Sequence, residues 1–232
     1  MDPRTALITG ASRGLGRALA TTLNSRGWRL VVDGRDPARL AATVAALPDP
    51  ALVTALPGDV TDPGHRAALA LAAGPRLDLL VNNASELGPS PLPRLGELTP
   101  HALERILAVN TVAPLALFQA VLPLLAPEAV VVQISSDAAV EAYEGWGGYG
   151  ASKAALDQLT AVLAVEHPTL RVYAVDPGDM RTDMHQAAFP GEDISDRPTP
   201  ESVVPGLLAL LDGELSSGRY RAAEVLPAEA TR

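Results

Sequence analysis

The chain has no cysteine among its 232 residues, which excludes disulfides, thiolate metal sites and cysteine nucleophiles together. Aromatic residues are scarce too, at 3%. The 47% of hydrophobic residues is therefore mostly Ala, Leu and Val, which fill the spaces between helices and a parallel sheet buried on both faces. Positive charge is also short, with 18 basic against 27 acidic residues and a formal charge of −9. Nucleic-acid binding rests on phosphate neutralisation, so an acidic chain without a basic cluster is a poor candidate for it. The same deficit weighs against an acidic carrier protein as a partner. The most apolar stretch, Ile106 to Leu125, is interrupted by Asn110, Thr111, Pro114, Gln119 and Pro123, and reads as a buried helix, not a membrane span. The histidines have no metal-like spacing and no metal is expected. His65, His101 and His167 read as solvated, while His185 falls among Met180, Met184 and Phe189, against substrate or on the surface. No leader peptide is expected, since Arg4–Thr9 already reads as a core strand, and the lack of cysteine fits a reducing cytoplasm.

Strand-like and helix-like segments alternate from end to end, the pattern of a parallel sheet wrapped by crossover helices. Strands are expected at Arg4–Thr9, Arg29–Asp33, Leu52–Leu56, Leu77–Val81, Ala129–Ile134, Arg171–Val175 and about Arg219–Val225. Helices are expected at Leu15–Arg26, Pro37–Leu47, Pro63–Ala72, Pro100–Leu122, Tyr149–Glu166 and Pro200–Leu211, and Pro37, Pro63 and Pro100 each suit a first helical turn. The expectation is one α/β domain over residues 1–232, a doubly wound parallel sheet of about seven strands with helices on both faces. Two stretches rich in Pro and Gly, Ser85–Leu98 and Pro177–Pro198, follow strands on the edge where open α/β sheets bind ligands, and are expected to wall a substrate pocket.

Thr9-Gly10-Ala11-Ser12-Arg13-Gly14-Leu15-Gly16 joins the first strand to the first helix. Glycines there permit a tight turn, a close approach of backbone to pyrophosphate, and close packing of helix on strand. The free N–H groups and the positive end of the helix dipole then face the phosphates. Such turns also occur with no ligand; the position after an N-terminal apolar strand favours the binding reading. Further on, Tyr149 and Lys153 are four apart at the start of a helix and share a face, so an ammonium can sit near a phenol. A cation that close favours the phenolate and lowers an ordinary pKa near 10 by about one to three units. A surface pair is the default for that spacing taken alone. Pro114 has no N–H to offer the carbonyl of Asn110, which breaks the regular helix there.

The spacing Gly-x-x-x-Gly-x-Gly and the Tyr-x-x-x-Lys pair resemble the short-chain dehydrogenase/reductase family. The likeness spans residues 4 to about 225, with every motif in the family's order. It implies a Rossmann fold and a cofactor cradle of Gly10, Ser12, Arg13, Gly14, Leu15 and Gly16. Asp59-Val60 matches the adenine-contacting pair, although Asp59 alone would serve as an N-cap. Asn82-Asn83-Ala84-Ser85 resembles the family's Asn-Asn-Ala-Gly, with Ser in the fourth place, and assigns Asn82 and Ala84 to the cofactor lining. Pro177, Gly178 and Thr182 resemble the Pro-Gly-x-x-x-Thr segment at the nicotinamide end. Ser136, thirteen residues before Tyr149, completes a catalytic set with Tyr149, Lys153 and Asn110, in which the helix break at Asn110 holds a water of the proton relay. The plain alternative for Asn110 is a buried amide beside a kink. Tyr149 and Lys153 also contact the cofactor.

Cofactor choice is written at the end of the second strand, where an acidic residue accepting from the ribose favours NAD and arginine favours the 2′-phosphate of NADP. Alignment with the family puts Gly34 at that place and Arg35 next to it, with Arg13 as a second basic residue. NADP(H) is the expected cofactor. NAD(H) is the alternative, because a one-residue slip hands the ribose to Asp33. The resemblance, somewhat closer to sepiapterin-reductase-like and diketone-reducing members, implies an NADPH-dependent reductase of a small carbonyl compound; Tyr143 and Trp146 suit a flat apolar wall for it and equally suit packing. The alternatives are a 3-oxoacyl-thioester reductase, an NAD-dependent alcohol dehydrogenase, and a non-catalytic NAD(P) sensor, which would typically have lost the tyrosine or lysine. A homodimer or homotetramer through the helices at Pro100–Leu122 and Tyr149–Glu166 is also implied.

Overall fold

A computed structural model describes residues 3–225. Its sheet has seven strands in the order β3-β2-β1-β4-β5-β6-β7, every neighbouring pair parallel. They are β1 (Thr5–Ile8), β2 (Arg29–Gly34), β3 (Val53–Pro57), β4 (Leu77–Asn82), β5 (Leu125–Ile134), β6 (Arg171–Asp176) and β7 (Gly218–Arg221). The order reverses between β1 and β4, and at such a switch point the loops leaving neighbouring strands diverge and open a crevice at their carboxyl ends.

Strand periodicity divides the core cleanly. Ala6, Ile8, Leu30, Val32, Leu79 and Val81 face helices α1 (Gly14–Ser25), α2 (Pro37–Ala45) and α8 (Pro200–Asp212). Their alternates Leu7, Val31, Leu80 and Val131 face α3 (Pro63–Ala73), α5 (Ala113–Val121) and the end of α6 (Gly147–Glu166). Burial on both faces explains why these strands read as continuous aliphatic runs. The helix starts follow local chemistry. Asp36, Asp62 and Thr99 cap α2, α3 and α4 (Pro100–Leu107) with their side chains, each followed by proline in the first turn.

The apolar stretch expected as one helix from Pro100 is divided. Between α4 and α5 lies a π-helical turn, Ala108–Val112, containing Asn110 and ending just before Pro114. Pro100–Leu124 is long and apolar enough to cross a membrane by composition, yet Ile106, Leu117, Phe118 and Val121 are fully packed in the protein interior. Other boundaries also moved. β5 begins at Leu125, before the expected Ala129, with a register irregularity against β4 and Glu128 at φ 62°. α6 begins at Gly147, before Tyr149. The last strand ends at Arg221, short of Val225, because Ala222–Glu224 turns into a 3-10 helix that packs against α8. The Ser85–Leu98 stretch has no regular structure, but Pro177–Pro198 contains a short helix, α7 (Asp183–Ala188), capped by Thr182.

The contact of α8 with that last turn is close: a Cβ on Gly206 would lie 2.2 Å from the carbonyl oxygen of Ala222. Gly206→Ala is expected to cost about 1–3 kcal/mol by overpacking. That lowers the midpoint by about 2–4 °C per kcal/mol in a chain of this size. Thermal unfolding followed by circular dichroism checks it; an unchanged midpoint would mean that the backbones are not in contact.

Candidate active site

The carboxyl ends of the strands enclose a cleft of about 960 Å³. Of the residues singled out in the sequence, Gly10, Ser12, Arg13, Gly14, Leu15, Gly34, Arg35, Asp59, Val60, Ala84, Ser136, Tyr149, Lys153, Pro177, Gly178 and Thr182 line it. Three stand behind the wall. Gly16 is a packing glycine, since a Cβ there would meet Asn83 Nδ2 and Gly10 O at 2.6 Å. Asn82 is buried and donates to the carbonyl of Pro114 at 3.4 Å, bracing the broken helix; its neighbour Asn83 is the one on the cleft wall. Asn110 is wholly buried.

The glycine turn is held from beneath. Gly10 takes φ +67° and its N–H donates to Asp33 Oδ1 at 2.6 Å. Asn83 Nδ2 donates to the carbonyls of Thr9 and Gly10 at 2.8 and 3.2 Å, and Thr9 Oγ1 accepts from the N–H groups of Asn83 and Ala84. Asp33 is 1% exposed, and its other oxygen lies 3.1 Å from His65 Nε2. Although Asp33 lies on the cleft wall, both of its oxygens are thus engaged in holding the turn, and His65, expected to be solvated, has a side chain only 8% exposed. The N-terminus of α1 opens on the cleft with no side-chain cap, in contrast to α2, α3 and α4. Helix-terminal N–H groups beside a glycine cradle fit an anionic dinucleotide.

One end of the cleft gathers arginines, several of them paired with carboxylates. Arg13 Nη1 and Arg39 Nη1 both reach Asp183 Oδ2, at 2.7 and 3.0 Å, and hydrogen bonding to Arg13 first, then Arg39, holds that carboxyl below its ordinary range. Arg35 pairs with Glu86 at 3.2 Å. Arg39 was not singled out in the sequence, although it lies one helical turn beyond Arg35. Arg105 was missed as well. It donates to Asp59 Oδ2 at 2.8 Å and pairs with Glu86, tying the floor of the cleft to α4. Burial pushes the Asp59 carboxyl up, but the Thr61 N–H and the Arg105 guanidinium prevail and hold it at about 2.

At the opposite end the Tyr149 hydroxyl faces the side chains of Ser85 and Ser136, which line the same part of the cleft. Ser136 Oγ also donates to Asp137 Oδ1 at 2.9 Å. The main-chain oxygen of Ser136 accepts from Arg219 Nη2 at 2.8 Å, an arginine on β7 that is also paired with Asp157. Lys153 is 2% exposed; its Nζ donates to the Ile134 carbonyl at 2.7 Å and lies 5.5 Å from the Tyr149 ring centre. The expected lowering of the tyrosine is not realised. Burial pushes the phenol up to about 12, with Asp137 and Asp176 adding to it and the two serine hydroxyls opposing. Burial also pushes the Lys153 ammonium down to about 8, so a desolvated cation is itself reluctant to stay charged.

Trp146, Met184 and His185 line the cleft beside Tyr149, and Leu87 and Phe189 complete an apolar cluster there. Trp146 meets Tyr149 edge-on at 5.7 Å. His185 is buried and stacks on Phe189 at 4.9 Å. Tyr143, expected in the same wall, instead points its hydroxyl at Asp137 and Glu141 and is 43% exposed, outside the cleft.

The comparisons with known proteins agree with this geometry. Residues 4–193 match the family model for short chain dehydrogenase. An uncharacterised oxidoreductase YciK from Escherichia coli is 32% identical over 224 residues, 91% of this chain and 87% of its own. Sepiapterin reductase of Mus musculus is 36% identical over 199 residues, covering 78% of this chain and 76% of its own. The crystal structure of a short chain dehydrogenase from Shigella flexneri complexed with NADP superposes with a TM-score of 0.85 at 31% identity, covering 96% of this chain and 98% of its own.

Asp33→Ala removes the acceptor beneath Gly10, so the affinities for NADPH and NADH are expected to fall together, by about tenfold, the equivalent of one hydrogen bond to a charged group. Fluorescence titration with each nucleotide measures this. A selective loss of NADH affinity would instead make Asp33 a ribose ligand.

Proposed function

The chain belongs to the short-chain dehydrogenase family and is an NAD(P)-dependent oxidoreductase, and from that premise we propose that it reduces a small ketone or related carbonyl compound to the alcohol with NADPH. The observation that carries the reading is that Tyr149, Lys153 and Ser136 line the apolar end of the same cleft whose other end is a glycine cradle, with Lys153 Nζ 5.5 Å from the Tyr149 ring centre. The residues fit the cofactor: Gly10 and Gly34 leave no room for a Cβ, and the uncapped end of α1 faces the pyrophosphate position. Arg13, Arg35 and Arg39 supply guanidinium groups for a 2′-phosphate, and the bonds of Asp33 to the Gly10 N–H and to His65 occupy the competing ribose acceptor. The Shigella neighbour's bound NADP supports the same choice.

Bound there, the reduced nicotinamide supplies the hydride. The protein's part is proton and charge control. Ser136 donates to the substrate oxygen and polarises the carbonyl, and Tyr149 gives its proton to that oxygen as negative charge develops. A phenol held near 12 stays protonated at neutral pH, which suits an acid in the reducing direction. Lys153, behind the ring, steadies the phenolate left behind. Asn110 clamps the loop beneath, accepting from Glu86 N–H at 2.8 Å and donating to Ser152 Oγ at 3.0 Å. Trp146, Leu87, Met184 and Phe189 favour a compact apolar or planar substrate over an extended acyl chain.

The reading is tested with 2,3-butanedione and acetoin as carbonyl probes. NADPH is expected to bind more tightly than NADH, and Tyr149→Phe to lower kcat by at least about a hundredfold, the range of general acid catalysis, with NADPH affinity kept. Full turnover by Tyr149→Phe would sink the mechanism. Binding without turnover of any carbonyl by the unaltered protein would favour a cofactor sensor.

We also propose a homodimer or homotetramer. Val112 beside α5, and Val162 and Val165 on α6, are apolar and 59%, 40% and 81% exposed, which suits a helical interface. Sedimentation velocity at micromolar concentration is expected to show an assembly; a single monomer boundary would refute it.

A further inference from the structure

Ser85 stands where the Asn-Asn-Ala-Gly motif that the sequence resembles has glycine. The substitution adds a hydroxyl, and the fold puts that hydroxyl between two residues of the catalytic set. Ser85 Oγ donates to Asn110 Oδ1 at 3.2 Å, and it faces the Tyr149 hydroxyl across the same cleft wall. The Asn110 amide does not depend on it. Its Oδ1 also accepts from the Glu86 N–H, and its Nδ2 donates to Glu86 O at 2.8 Å and to Ser152 Oγ. Ser152 Oγ in turn donates to the Tyr149 carbonyl at 2.6 Å, so Asn110 and the tyrosine's own helix form one rigid unit around the serine. Inside this frame Ser85 has one proton and two acceptors within reach.

Resting on the reading of Tyr149 as the acid–base group, we propose that Ser85 is a further catalytic residue, a hydroxyl that turns from Asn110 Oδ1 to the Tyr149 oxygen when that oxygen loses its proton. In the reducing direction the Tyr149 O–H bond breaks, its proton goes to the substrate oxygen, and the phenolate remains. Ser85 keeps its own proton throughout and swaps one acceptor for another. Asn110 Oδ1, left by the serine, still has the Glu86 N–H, so no buried acceptor is stranded. Ser136 has the same construction, with Asp137 as its resting acceptor. Ser136 turns its single proton to the substrate oxygen, which leaves Ser85 as the hydroxyl donor to the phenolate. The gain is large in this site because burial opposes the phenolate, as the elevation of Tyr149 shows.

The sign is fixed by which form Ser85 favours. Removing a donor to the phenolate raises the tyrosine further, so the base form needed for alcohol oxidation appears at higher pH. With 2,3-butanediol and NADP⁺, the rising limb of kcat/KM against pH is expected to move up by about one unit in Ser85→Ala, with kcat at neutral pH falling about tenfold. Ser85→Thr, which keeps the hydroxyl, is expected to restore the limb, and NADP⁺ affinity is expected to stay unchanged in both. A merely structural role would lower rates without moving the limb. The proposal is overturned by an unmoved limb in Ser85→Ala, or by a Ser85→Thr limb displaced as far as that of the alanine variant. Ser85→Gly, the family's residue, serves as the second variant should alanine disturb the loop, and the same displacement is expected. An unaltered protein that fails to turn over alcohol or ketone, or an active Tyr149→Phe, brings down the underlying reading together with this one. An inactive Tyr149→Phe with an unmoved serine variant brings down the role of Ser85 alone.

Discussion

The hydrogen bond from the Gly10 N–H to the buried carboxyl of Asp33 is the contact on which the rest of the site depends. It ties the head of the glycine turn to the end of β2, while Asn83 and Thr9 tie the same turn to the end of β4. These are the two strands that flank β1 at the point where the sheet order reverses. A crevice at that point follows from topology alone; its use as a phosphate cradle requires that the turn hold one shape. Gly10 is suited to this by its positive φ, and a Cβ there would strike Ala84 at 2.9 Å. Glycine by itself makes the turn possible, and the anchors from neighbouring strands make it definite.

The other end of the cleft shows burial and proton chemistry in opposition. Burial strengthens every charge interaction at this end and also penalises the phenolate and the ammonium that the chemistry uses. Tyr149 is driven up and Lys153 down by the same desolvation. Whatever Lys153 contributes to the phenolate therefore works against the burial of both groups. The fold answers with hydroxyls that have resting acceptors of their own, Ser136 on Asp137 and Ser85 on Asn110, so the donors exist without leaving unpaired polar groups when idle.

Much of this was legible before the structure. Strand and helix order, the helix starts at Pro37, Pro63 and Pro100, the break at Pro114 and most cleft residues follow from local signals: aliphatic runs, first-turn prolines, a glycine turn and a residue without an N–H. The misses were of a different kind. Arg105, Arg219 and Asp183 enter the site through contacts between segments 46, 83 and 170 residues apart, and no window of sequence contains such a pair. Tyr143 was misplaced for the same reason: its flat ring suggested a substrate wall, but two nearby carboxylates claim its hydroxyl. The shortening of β7 depends on the fit of Ala222 against Gly206, again a tertiary contact.

The broken helix links these observations. A regular helix from Pro100 to Leu124 would carry Asn110 past in an ordinary turn. With proline at 114 the chain takes a π-helical turn instead, and Asn82 accommodates the distortion by bonding the Pro114 carbonyl. The widened turn presents the Asn110 side chain to the loop after β4, where it holds the main chain of Glu86 with both ends of its amide. That hold fixes the position of Ser85, one residue earlier, against Tyr149. A defect that costs a backbone hydrogen bond thus sets the position of the first long loop, and through it the polar surroundings of the reacting oxygen. A straightened helix would keep the residues of the site and lose their register.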